Sequence, residues 1–87
     1  MACLEADWLR WLPAAVGDHH WKLHTGSAGV RLGDGALGLK WRQAAPRIIG
    51  LVQLPVLKVN FRFAGVAEPQ RHEFMKRFDL YMQRGGG

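Results

Sequence analysis

The side chains that could bind a metal or attack a substrate cluster in one stretch: His19, His20 and His24 lie just ahead of Ser27, the only serine. Zinc would need several of these histidines at bond lengths near 2 Å. On an extended strand His20 and His24 share a face but stand about 13 Å apart, at roughly 3.3 Å per residue, and His19 points the other way. The nearest carboxylate is Asp18, and the one cysteine, Cys3, is remote in sequence. We therefore expect no metal site and no cofactor. His72-Glu73-Phe74-Met75-Lys76 begins like a zinc-protease helix but places lysine where the second ligand belongs. Ser27 beside His24 has the first two members of a hydrolytic triad, but no third group to orient the histidine is evident. Glu5, Asp7, Glu68 and Glu73 fall at positions that helix electrostatics explains, and Asp79 falls on a polar helix side. The expectation is a protein that is not an enzyme.

Two glycine patterns resemble phosphate loops as strings only. Gly33-x-Gly35-x-x-Gly38 would have to open a helix to hold a pyrophosphate, and the strand-like Leu39-Lys40-Trp41-Arg42 follows instead. Gly26-Ser27-Ala28-Gly29 has the spacing of the loop that clamps RNA between two helices, but its neighbours here read as extended. Both are expected to be hairpin turns.

Charge is more informative. From His19 to Val66 the chain carries Lys22, Arg31, Lys40, Arg42, Arg47, Lys58 and Arg62 against one carboxylate, Asp34, while the net charge of the whole chain is +5. In Leu57-Lys58-Val59-Asn60-Phe61-Arg62-Phe63 apolar and polar residues alternate with the period of a strand, sending cations to one face and hydrophobes to the other. Lys40 and Arg42 have the same phase around Trp41. A binding site for an anionic partner at Lys40, Arg42, Lys58 and Arg62 is expected, nucleic acid or another polyanion being the natural class. Trp41, Phe61 and Phe63 have the phase of the opposite face, which disfavours base stacking and leaves salt-sensitive contact with the phosphate backbone. One Arg84-Gly85-Gly86 unit is too little for an RGG segment. The competing expectations are a basic face that serves only solubility, and a protein-interaction or homodimerisation module using Leu80, off the apolar side of its helix, and the apolar run from Ile48 to Leu57.

These side chains need a scaffold. Leu4, Trp8, Trp11 and Leu12 recur at helical spacing, and Pro13 is expected to close that short helix. Short strands are expected around Trp21–Leu23, Val30–Leu32 and Leu37–Trp41, joined by glycine-containing turns that force antiparallel neighbours. Arg47 to Leu54, almost continuously apolar, reads as a fourth strand, central or covered on both faces. Pro55 should mark the turn into the fifth, Val56 to Phe63. Glu68-Pro69 opens a longer amphipathic helix with Phe74, Met75, Phe78, Tyr81 and Met82 on one side, stopped by Arg84 and Gly85. The expected fold is α+β: an antiparallel meander of about five strands with both helices on its apolar face, in one domain over residues 1–84 with a flexible tail over 85–87. A curved half-barrel is the closest variant.

The composition, 48% hydrophobic with four tryptophans and four phenylalanines in 87 residues, is that of a globular domain. A single cysteine excludes an internal disulfide and leans toward a reducing compartment, so a soluble, cytoplasmic protein is expected. Glu5 and Asp7 interrupt the apolar start, which is unlike a secretory signal, and no apolar run approaches about 20 residues, so no membrane contact is expected.

Overall fold

The computed structural model describes residues 1–86, and their side chains as far as Gln83. A first helix, α1 (Glu5–Val16), leads into four strands, β1 (Trp21–His24), β2 (Ser27–Leu32), β3 (Gly35–Ile49) and β4 (Val52–Ala64), and a second helix, α2 (Glu68–Gly86), follows. The strands form one antiparallel sheet in sequence order. The class is α+β, with four strands in place of the expected five.

The missing strand has a physical explanation. Arg47 to Leu54 is not one element: Arg47–Ile49 ends β3, the chain reverses at Gly50 with φ +60°, and Val52–Leu54 begins β4. Gly50 supplies the left-handed conformation that tight reversals need. Neither neighbouring proline makes the turn. The register passes from Ala44↔Val56 to Arg47↔Leu54, so Ala45 and Pro46 oppose Pro55 alone in a β-bulge. A bulge already forgoes ladder bonds, so two residues without an N–H or with a misplaced one are tolerated there.

The run expected to be covered on both faces is bare. Ile48 and Ile49 are 66% and 54% exposed, Val52 is 55% exposed and Leu51 is fully exposed at the apex. β3 and β4 therefore extend past the rest of the sheet as a two-stranded arm, and the molecule measures 47 × 24 × 20 Å.

Residues of both helices and three strands make up one buried cluster. Trp8, Leu12, Ala15 and Val16 come from α1, Val30, Leu32, Leu37, Leu39, Trp41 and Leu57 from the strands, and Phe74, Phe78 and Met82 from α2. The Trp8 ring lies 5.5 Å from Trp41 and 5.8 Å from Phe78, and Phe61 meets Phe78 edge-on at 5.4 Å. Tilted and edge-on contacts suit the ring quadrupoles.

Pro13 does not close α1, which continues one turn to Val16. Ala15 and Val16 are fully buried, and that burial offsets the backbone bond a proline inside a helix forgoes. α2 continues past the expected stop at Gly85 to Gly86; of the expected tail, Gly87 lies outside the described residues. Among the described residues no helix is long and apolar enough to cross a membrane.

Candidate functional site

Because successive residues of a strand alternate faces, the register assigns each cation to a side. The buried Leu37, Leu39 and Trp41 of β3 pair with Phe63, Phe61 and Val59 of β4. The residues between them therefore point the other way. On this outer face Lys40 is opposite Asn60, Arg42 is opposite Lys58, and Arg62 is opposite Gly38. The four cations singled out from sequence are thus brought together on two adjacent strands. Lys22 joins the same band through its pairing with Gly29, which in turn faces Gly38. Lys40, Arg42, Lys58 and Arg62 are all exposed.

The charges on this face are uncompensated. Among the described residues the one ion pair is Arg10 with Asp7, at 2.7 Å on α1. Arg42 and Lys58 sit directly across from each other, where side chains of like charge repel. Such an arrangement costs stability in the isolated protein and is relieved by an anion.

A shallow cleft of about 440 Å³ lies in the middle of the band, lined by His24, Ser27, Gly29, Gly38, Lys40, Asn60 and Arg62. Its floor exists because two opposed positions lack side chains. A Cβ at Gly29 would meet nothing within 4 Å, and one at Gly38 would meet only the Arg62 carbonyl oxygen, at 3.8 Å. Packing does not require these glycines, and without side chains at them the backbone between Lys40 and Arg62 is open to solvent.

The other candidates are placed as follows. His24 and Ser27 are paired at the β1–β2 turn, and neither is in a side-chain hydrogen bond with a third residue among the described ones. His19 stacks edge-on against Phe74 at 5.5 Å. No group of three metal-ligating side chains forms among the described residues. Asp34 lies in the turn before β3, away from Lys40 along the strand. Leu80 is 46% exposed on α2.

Sequence reasoning missed the clamp at the base of the arm. Gln43 Oε1 accepts the Glu5 backbone N–H at 2.7 Å, and its Nε2 donates to the Val56 carbonyl at 2.9 Å and the Cys3 carbonyl at 3.3 Å. Trp41 Nε1 donates to Glu5 Oε2 at 2.8 Å. The amino terminus completes the clamp, since Met1 donates to the Leu57 carbonyl at 2.6 Å and accepts the Leu57 N–H at 2.7 Å, covering the β4 edge there. Cys3, inside this clamp, is buried, and burial pushes its thiol up from the usual range. The nearby amino-terminal charge opposes that rise and Asp7 adds to it. No local sequence signal pairs Gln43 with Cys3, because they are 40 residues apart.

Comparison with protein-family models, with curated proteins and with solved structures gave no match.

Proposed function

We propose that the outer face of the sheet binds a polyanion, nucleic acid in particular, and that the protein is a small non-enzymatic binding domain of the cytoplasm. The observation that carries this is the convergence of Lys40, Arg42, Lys58 and Arg62 on one face of β3 and β4 with no carboxylate partner among the described residues. A face that served solubility alone would be equally well built from mixed charges, which also avoid repulsion of the Arg42–Lys58 kind. The glycine-floored cleft supports the same function, since a phosphate there reaches two cations and the Asn60 and Ser27 polar groups. With the aromatic rings of Trp41, Phe61 and Phe63 on the helix side, recognition rests on phosphates and is poor in sequence information.

The test is retention on DNA and RNA at two salt concentrations by the wild type and by a Lys40/Arg42/Lys58/Arg62→Glu variant. Four phosphate contacts predict a log–log salt slope of about −3.5 on B-form DNA. Equal weak retention by both proteins would remove the face from consideration.

A second function, interaction with another protein or with a second copy, is favoured by a separate observation: the apolar apex of the arm and Leu80 are exposed. It predicts a mass that rises with concentration in sedimentation, and a strict monomer at high concentration rules out the homodimer.

A further inference from the structure

The arm poses a question that the cationic face alone does not answer. Ile48, Ile49, Leu51, Val52 and Leu54 form a continuous apolar apex, with Leu51 fully exposed. The register continues the outer face onto it. Arg47 pairs with Leu54 and Ile49 with Val52, in the same phase along β4 as Lys58, Asn60 and Arg62. The outer side of the arm is therefore greasy at its end and cationic from Arg47 back to Arg62, and the segment 35–67 contains no carboxylate.

We propose that the arm is a duplex-DNA reader whose apex enters the minor groove, Leu51 wedging into one base step while the cations behind it hold the backbone. This rests on the polyanion function proposed above and names its class. Charge complementarity selects an anionic partner. Within that class the apex selects a duplex, because aliphatic wedges work by prising apart stacked pairs and leave the duplex kinked at that step, whereas single strands are held by aromatic platforms, which this face lacks. The spacing agrees: Val52 and Arg62 are ten residues apart on β4, about 33 Å, and one turn of B-form DNA is about 34 Å. A duplex lying along the arm thus presents the same groove to the apex and, one turn away, to the Lys40–Arg62 cleft. The bulge at Ala45, Pro46 and Pro55 lies between the two contacts, where the bend it gives the ribbon suits a duplex kinked at the apex.

The experiment uses the whole chain and a duplex of about 30 base pairs, about three helical turns. It carries end-to-end fluorescence labels and a fluorescent adenine analogue at a central TA step, the kind of step most easily unstacked. The wild type is expected to raise both the analogue emission and the end-to-end transfer. A Leu51→Ser, Ile49→Ser variant, altered only at exposed positions, is expected to lose both signals and to bind about tenfold more weakly with the salt slope unchanged. Duplex RNA, whose minor groove is wide and shallow, is expected to give retention without unstacking. Binding of DNA by the wild type with neither signal, or wild-type signals from the Ser variant, overturns the wedge and leaves the cationic face standing. Absence of any salt-sensitive binding defeats the face itself, and the wedge with it. Loss in the Ser variant of concentration-dependent self-association, or of capture on phosphatidylserine vesicles, would assign the apex to a second copy or to a lipid surface and also overturn the proposal.

Discussion

Arg42 and Lys58 face each other across β3 and β4, so one substitution separates stability from binding. Lys58→Glu replaces a repulsive cross-strand pair with an attractive one, worth about 0.5 kcal/mol at an exposed site. For a domain of this size that is a rise of about 3 °C in Tm. The same change is expected to lower DNA retention, so a melting curve and a salt gradient should move in opposite senses. A fall in Tm would contradict the cross-strand repulsion, and undiminished retention would mean that Lys58 lies outside the binding face. Gln43 predicts the converse. Gln43→Ala removes three hydrogen bonds at the base of the arm, and because the residue is exposed water replaces part of them, leaving a loss of about 1 kcal/mol with the salt slope untouched. Cys3 adds a pH dependence. Its thiol pKa is raised on folding, so the folded state disfavours the thiolate. The stability this represents is present below the thiol's ordinary pKa and is lost as pH rises through the higher folded value. Denaturation midpoints across that alkaline window should fall more steeply for the wild type than for Cys3→Ala.

The elements divide into those whose signals are local and those whose signals are not. The phase of Leu57 to Phe63 is legible because a half-buried strand alternates, and Phe74, Phe78 and Met82 are legible because four-residue spacing stacks them on one side of α2. The arm is not legible in this way. A hairpin end with both faces in solvent and a strand covered on both faces are each written as an unbroken apolar run, and periodicity cannot tell them apart. The available clue was Gly50, placed midway in a run flanked by Pro46 and Pro55. Similarly, the opposition of Gly29 and Gly38 depends on the pairing of β2 with β3, which neither segment encodes by itself. If the arm end contributes nothing to the core, replacing residues 45–55 by Asn-Gly, which closes the Ala44–Val56 pair with a two-residue hairpin turn, should leave Tm within about 4 °C of wild type. A collapse of the fold would show that the arm is held by contacts its exposure does not suggest. Filling the cleft is the companion test. Gly38→Thr should fit, since the nearest atom to its Cβ would be 3.8 Å away, and should raise stability through strand propensity while weakening retention of anions.

Taken whole, the protein is a helix-bearing body with one long ribbon attached, and its charge is distributed accordingly: six of the seven carboxylates lie outside the segment from His19 to Val66, and seven of the twelve lysines and arginines lie within it. Such a separation creates a directional field, which under the proposed function would orient an approaching polyanion before contact. The tie between Met1 and Leu57 and the clamp on Gln43 fix the ribbon to the body, so face and apex are presented as a unit. The most direct measurement is the dependence of the duplex-DNA binding constant on salt, for the wild type and for the Lys40/Arg42/Lys58/Arg62→Glu variant. A log–log slope near −3.5 for the wild type, abolished in the variant while its folded spectrum is retained, is the expected result. A wild-type slope near zero, or the same slope in both proteins, would contradict the assignment of this face as the binding surface.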